Sequence, residues 1–326
     1  MQYNFVIIRT ERGRKYARKI LNSIQWLNEH KYPQHDFHRI NITINDFLHN
    51  LNDIERNYLP ENTIIHARCA NPRTDWTIKL RELEEKRYKV VNSVDTIELT
   101  SNKLACSLKL QDKVAHPKSW EYKNINNLVD FENWYRENIE VAFDYVPEYL
   151  IAKPLTSLEQ GANVRKVKIN GNQYEDIRKE FNSVSGNKIV IQEFIPYTAL
   201  HRVIVIGGKA LPYTFIDRVE WHNNGDWKVS CCLNRTTMKL NENAHPELLD
   251  LAEKTQKEVG GVINFIDIFE YPELVIHGDL QVKYTNAEIN TACSLNIHER
   301  LAKQAGRSDW NIHSRIAKQL VKEIGV

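Results

Sequence analysis

The chain has 326 residues, of which 42% are apolar and 26% charged, with a formal net charge of +2. That length suits about two domains, or one enzyme of several lobes, with apolar material for more than one core. The balanced charge argues against a dedicated nucleic-acid binder, which normally carries a basic domain.

In chain order, YNFVIIR (3–9) reads as a buried strand and KYARKILNSIQWLNEH (15–30) as the helix that follows it. NTIIHARC (62–69) is a second strand, TDWTIKLRELEEKRY (74–88) a charged helix and KVVNS (89–93) a short strand. Alternating strand and helix predicts a small α/β domain with a parallel sheet. TIELTSNKLACSLKLQDK (96–113) reads as one helix ending before His116-Pro117, and NLVDFENWYREN (127–138) as another. YLIAKPL (149–155), VRKVKI (164–169) and KIVIQEFI (188–195) follow as strands, with TSLEQGANV (156–164) as a loop. HRVIVIGGKALPYTFIDR (201–218) reads as a hairpin turning at Gly207-Gly208. PELLDLAEKTQKEVGG (246–261) is an amphipathic helix with glycine past its end, FIDIFE (265–270) and AEINT (287–291) are strands, and HSRIAKQLVKEI (313–324) is a closing helix. The second part is hairpin-rich and predicts α+β lobes on an antiparallel sheet.

The N-terminal MQYNFVIIRTERGRKYARK has too short an apolar stretch for a signal peptide, and no run nears the ~18 apolar residues that span a membrane. The cysteines, Cys69, Cys106, Cys231, Cys232 and Cys293, form no CxxC pair and read as reduced thiols in a cytoplasmic protein.

Several residues carry chemistry when taken together. Lys153 ends an apolar strand directly before Pro154, where it is shielded from water. The loop after it holds Ser157 and Gly161, small enough for backbone N–H groups to approach a phosphate. Gln192 and Glu193 interrupt an apolar strand and suit a linker whose backbone pairs with an adenine edge. Arg202 and Arg218 flank the hairpin, and a guanidinium takes phosphate in a bidentate manner. Glu288 and Asn290 share one strand face, and Asp267 sits in another apolar run. Two carboxylates and an amide oxygen suit a hard cation such as Mg²⁺. Each residue alone also reads as an ordinary surface or hairpin residue; only the joint pattern points to a phosphate beside a metal.

The order VVNSVDTIELTSNKLACSLKL, VAHPKSW, YLIAKPL, VIQEFI, HRVIVIGGKALPYTFIDR, FIDIFE and AEINT resembles the ATP-grasp ligases, and most of all their RimK-like branch. The resemblance implies an α/β and α+β chain. A small α/β domain with a parallel sheet (1–95) would precede a central lobe (96–193) and a C-terminal lobe (194–326) that grip ATP. It implies that Lys103 and Lys153 hold ATP phosphates, that the loop with Ser157 and Gly161 covers them, and that Glu193, Phe194 and Ile195 form the adenine hinge beside Gln192. Arg202, Arg218 and Lys228 would face the reacting phosphate, and Asp267, Glu288 and Asn290 would hold Mg²⁺, with Mn²⁺ as the alternative.

The implied reaction activates a carboxylate with ATP and joins it to an amine of an amino acid, peptide or protein. A peptide-crosslinking ligase and a non-catalytic ATP-binding module are the competing readings. Neither nucleic acid nor membrane is an expected partner, and self-association stays open. The basic segment RTERGRKYARK (9–19), with Arg68 and Arg73, reads either as a solvated helix face or as a surface for an acidic peptide or amino acid. Leu200 stands where the family has an aspartate, Asn102 precedes the first lysine in place of an aspartate, and Ser230 replaces an asparagine, with Asn234 nearby. The span between Asp267 and Glu288 is longer than usual, and TACSLNIHE lacks the family's proline and glycine.

Overall fold

The computed structural model describes residues 1–49, 51–68, 74–155, 163–221, 237–274, 280–293, 295–307 and 311–326. Ser157, Gly161, Lys228, Ser230, Asn234, Arg73, Cys69, Cys231 and Cys232 lie outside the described residues. Cys106 is a buried free thiol.

The first sheet holds β1 (Gln2–Arg9), β2 (Asp36–Thr43), β3 (Thr63–Arg68) and β4 (Lys89–Val91), ordered β2-β1-β3-β4. Every pairing in it is parallel. Helices α1 (Arg14–Lys31), α2 (Ile44–His49), α3 (Leu51–Asn57) and α4 (Thr74–Glu85) connect its strands. Val6, Ile8 and Ile65 pack with Phe47, Trp76, Leu80 and Leu83 on one face of the sheet. Phe5, Ile7 and Ile64 pack against α1 on the other. Strands buried on both faces explain the unbroken apolar run FVII.

The segment expected as a single helix from 96 to 113 is instead two, α5 (Val94–Ser101) and α6 (Lys103–Leu110). Asn102 breaks it: its backbone is extended and its side chain accepts a hydrogen bond from Ala105 N, which caps α6. Asparagine at such a cap satisfies an N–H that the first turn leaves orphaned.

The second sheet, ordered β5-β8-β6-β7, is antiparallel: β5 (Ser119–Lys123), β6 (Tyr149–Pro154), β7 (Arg165–Lys168) and β8 (Lys188–Glu193). Helices α7 (Leu128–Asn138) and α8 (Tyr174–Asn182) cover one face through Phe131, Tyr135, Ile177 and Phe181.

The third sheet contains β9 (Ala199–Ile206), β10 (Lys209–Ala210), β11 (Thr214–Arg218), β12 (Lys239–Asn241), β13 (Ile263–Leu274) and β14 (Leu280–Asn290), ordered β12-β11-β9-β13-β14 with β10 on β9. Gly207 and Gly208, at φ +60° and +83°, make the two-residue turn between β9 and β10, a conformation other residues rarely adopt. Its helices are α9 (Pro246–Val259), α10 (Asn296–Gln304) and α11 (Ile312–Glu323). Alternate side chains of each strand go to opposite faces. Leu200, Ile204, Phe215 and Phe265 join the cluster that includes α1 and α11, so this face packs toward the first sheet. Val203, Val205, Ile266 and Ile268 pack instead with Cys106 and Leu110 of α6 and Leu248 of α9. Among the described residues, no helix is long and apolar enough to cross a membrane.

One buried side chain that ties the first unit to the third sheet is Asn92. Asn92 Oδ1 accepts from Val262 N at 2.7 Å and Ile263 N at 2.9 Å, while its Nδ2 donates to Ile263 O at 2.7 Å. Alanine there leaves buried backbone groups without partners, at about 3 kcal/mol of lost stability. Calorimetry of Asn92→Ala should therefore show unfolding at a clearly lower temperature than wild type; coincident transitions would mean that this junction contributes nothing.

Candidate active site

Strand register builds the centre of the site. On the third sheet Phe215, Arg202, Asp267 and Glu288 are successive cross-strand partners on β11, β9, β13 and β14. They form one row on the face directed toward the first unit. Asn290 pairs with Phe265 and shares that face. The register slips after Asp267, where Ile268 pairs with Asn286 rather than with Ala287. This bulge leaves Asn286 on the opposite face, bonded by Thr255 Oγ1 at 3.0 Å and donating to Ala115 O at 2.9 Å.

Arg202 and Asp267 are each only 5% exposed. Arg202 grips the carboxylate with two bonds, Nε to Oδ1 at 2.7 Å and Nη2 to Oδ2 at 2.6 Å. Burial raises the Asp267 carboxyl above its ordinary range and Glu288 adds to that rise, while Arg202 opposes both.

The second sheet contributes Lys153. Its ammonium donates to Gln192 Oε1 at 2.7 Å, and Gln192 Nε2 donates to Ser119 Oγ at 2.8 Å. Burial lowers the Lys153 ammonium to about 7; Lys103 pushes it the same way, while Glu288 and Cys106 resist. Those influences bring Lys103, Lys153 and Glu288 into one neighbourhood, drawn from α6, β6 and β14. Lys103 N also donates to Leu155 O at 2.9 Å, which ties the start of α6 to the end of β6. His116 joins from the turn after α6, with Nε2 at 2.8 Å from Ser107 Oγ. Burial, reinforced by Lys153, pushes this imidazole down to about 3, so it is neutral at physiological pH.

The segment after β8 holds Glu193, Phe194 and Ile195. Glu193 N donates to Lys118 O at 2.9 Å, and Lys118 N donates to Glu193 Oε2 at 3.1 Å. Phe194 meets Tyr149 edge-on, and the Lys166 ammonium lies 3.9 Å from the centre of each ring. Lys166 and His116 escaped the sequence reading; VRKVKI marked only a strand, and nothing in it showed which lysine would meet Phe194.

Arg218 stands apart from Arg202. Its register opposite Ala199 puts it on the other face of the sheet, where Nη1 donates to Glu270 Oε1 at 3.1 Å. Glu270 also meets His201 Nε2 at 3.0 Å, and that hydrogen bond, despite burial, holds the Glu270 carboxyl below its usual range. The acid missing at Leu200 has a neighbour: Leu200 pairs with Asp217 on β11, which is fully buried and accepts from Thr237 Oγ1 at 3.1 Å.

Asp267, Glu288 and Asn290 supply oxygen donors from adjacent strands on one face, a donor set that fits Mg²⁺. The two bonds from Arg202 leave each Asp267 oxygen a second lone pair. Among the described residues, no group of three or more His, Cys, Asp or Glu side chains is placed to hold a metal, so a cation here would depend on the amide of Asn290.

No protein-family model and no curated protein matches the chain. Solved structures do. The D-cycloserine synthetase DcsG superposes with a TM-score of 0.63 at 9% identity, covering 98% of this chain and 99% of that one. D-alanine–D-alanine ligase from Bacillus anthracis gives 0.61 at 14%, covering 99% of both chains. The ATP-grasp ligase PsnB, solved with precursor peptide PsnA2 and AMPPNP, gives 0.59 at 14%, covering 98% of this chain and 97% of that one. PsnB has also been solved with a minimal precursor, Mg and ADP. The likeness runs over the whole length of the chain and shows its fold: the chain has the ATP-grasp fold.

Proposed function

We propose that the chain is an ATP-dependent ligase that activates a carboxylate as an acyl phosphate and joins it to an amine, with a peptide or protein as one substrate. The observation that carries this reading is the meeting of Lys153, Lys103 and Glu288 beside the Arg202–Asp267 row. Two cations from one side and carboxylates from the other suit a polyphosphate that carries a cation.

In the first step a substrate carboxylate oxygen attacks the γ-phosphorus, the bond to the bridging oxygen breaks, and ADP leaves. In the second an amine nitrogen attacks the acyl carbon. Phosphate then leaves and the nitrogen gives up a proton. Positioning and charge neutralisation carry such phosphoryl transfer. Lys103 and Lys153 hold the phosphates, with Gln192 orienting Lys153. The backbone around Phe194 and Ile195 receives the adenine. Arg202 stabilises charge at the reacting group, the role that Arg218, engaged with Glu270 on the other face, is not posed to share. Mg²⁺, held by Asp267, Glu288 and Asn290, would neutralise phosphate charge when bound.

The likeness to PsnB, solved with its precursor peptide, supports a peptide substrate. It also favours the second reading, in which the ligase crosslinks side chains within one peptide. Mass spectrometry separates the two: addition of an amino acid raises the peptide mass, whereas an internal crosslink removes one water per bond. A RimK-like transfer of an amino acid to a polypeptide remains our first reading.

Two outcomes test the assignment. Incubated with Mg·ATP, hydroxylamine and a panel of amino acids and acidic peptides, the protein should form an ATP-dependent hydroxamate. Glu288→Gln and Lys153→Ala should each lower ADP release at least ~100-fold while the protein stays folded. Wild-type turnover in both variants would reject this site.

The Lys153 ammonium gives a second test. A lysine held at about 7, against 10.5 when free, is mostly neutral at about pH 8. Its cost to the fold is complete below about 7 and is relieved as the pH rises toward 10.5. A bound phosphate favours the charged form, so ATP binding should draw a proton from solution at about pH 8. Calorimetric titration in two buffers of different ionisation heat should register that uptake, and Lys153→Met should lack it. Equal uptake by both proteins would place the proton elsewhere.

A further inference from the structure

A groove of about 570 Å³ runs between α1 and α10, lined by Lys15, Lys19, Glu299, Arg300 and Lys303. Four of these five are cations. Lys15, Arg300 and Lys303 are exposed, while Lys19 and Glu299 are half-buried. Glu299 is ion-paired with Lys19 and offsets that one charge, so four cations less one carboxylate leave the groove at +3. One of its oxygens is taken by Lys19, and the other lies 3.7 Å from His313 Nδ1.

A buried imidazole stands behind Glu299, 3.7 Å from its carboxylate. His313 is 1% exposed, and neither of its ring nitrogens has a hydrogen-bond partner. Buried polar atoms without partners are costly, and native chains keep few of them. Burial holds this imidazole down at about 4 although Glu299 opposes the shift, so at neutral pH the charge of the groove belongs to its lysines and arginine. The His313 ring stands edge-on to Tyr16, 5.0 Å away, and Tyr16 lies 3.2 Å beneath the Arg68 guanidinium. Arg68 donates to the carbonyl of Cys293, in the stretch that leads from Asn290 to α10. The groove is thereby joined, through Tyr16 and Arg68, to the backbone that follows the candidate cation ligands.

We propose that this groove docks an acidic stretch of a polypeptide, outside the nucleotide site. Charge complementarity selects the occupant: four cations and one carboxylate leave this concave strip at +3, whereas the whole chain carries only +2. A nucleic acid needs a basic field spread over many phosphates, which a chain so nearly neutral does not offer. The identification of the docked stretch as substrate rests on the ligase reading; its binding does not, since no residue of the groove belongs to the nucleotide site.

The test is fluorescence anisotropy of the full chain with fluorescein-labelled hexaglutamate, hexaglutamine as the neutral control, and a single-stranded DNA hexamer. Hexaglutamate should bind, hexaglutamine should not, and raising salt from about 50 to about 200 mM should weaken binding. Lys15→Glu combined with Lys303→Glu should weaken hexaglutamate at least ~10-fold, and the milder Lys15→Gln with Lys303→Gln should fall between. Both positions are exposed, and an unchanged melting temperature checks the fold. Lys153→Ala should leave peptide binding as in wild type. Equal binding of the two peptides, full binding by the charge-reversed protein, or tighter binding of the DNA would each overturn the proposal. Peptide binding without any ADP release would sink the ligase reading and leave the groove standing; ADP release with no preference for the acidic peptide would do the reverse.

Discussion

Arg202 and Asp267 form a charged pair almost wholly removed from water, and much of the architecture exists to hold it. Taking two ions out of water costs several kcal/mol each, and only bidentate geometry of this quality recovers it. The two residues lie 65 positions apart in sequence. They meet because β9 and β13 pair in one register, and a slip of one residue would send both strands' apolar residues to the wrong face. Ile204 and Phe265 on one face, with Val203, Val205, Ile266 and Ile268 on the other, fix that register from both sides. The pair's position is therefore set by hydrophobic packing rather than by its own attraction.

The packing has a further consequence. The face that carries the row also receives α1 and α11, through the cluster shared with the first sheet. Asn92 anchors the same junction through the backbone at Val262 and Ile263, where β13 begins. The first unit is thus fixed to the very strand that carries Asp267. Displacement of the first unit would be felt at the charged row through β13, which runs unbroken from that junction to Asp267.

The strands of all three sheets were largely legible, because runs such as FVII, IVIQ and VIVI are apolar enough to mark buried strands. The edge strands β2, β5 and β12 were not, since DFHRINIT, SWEYK and KLN mix polar with apolar residues, whereas the edge strands β4, β7 and β14 were. The break at Asn102 was missed because the apolar spacing continues through it, while the cap that causes it is one side-chain bond. For the candidate site, residues could be nominated from the sequence but their register could not. Arg202 and Arg218 both flank the hairpin, yet the irregular 211–213 segment decides which faces they take, and no spacing rule supplies that. The same ignorance of register hid Asp217, which stands beside Leu200 on the face where an acid was expected. Lys153 was legible as shielded, but its bond to Gln192, from a neighbouring strand, was not.

Why a chain would keep these groups buried follows from what each costs. A lysine lowered to about 7 lies at the boundary where its charge is barely tolerated. An apolar residue there would be the more stable choice, as it often is for buried ion pairs. Retaining Lys153, Arg202 and Asp267 together means that the fold forgoes stability at this one place. Groups held in that state gain most from a ligand of opposite charge, because water no longer screens them. Net charge points the same way. At +2 the chain exerts little long-range pull on an anion, so recognition must come from local concentrations of cations. One such concentration is buried around Lys153, where the proposed nucleotide would bind. The other, between α1 and α10, is exposed, as the proposed docking of a flexible acidic chain requires.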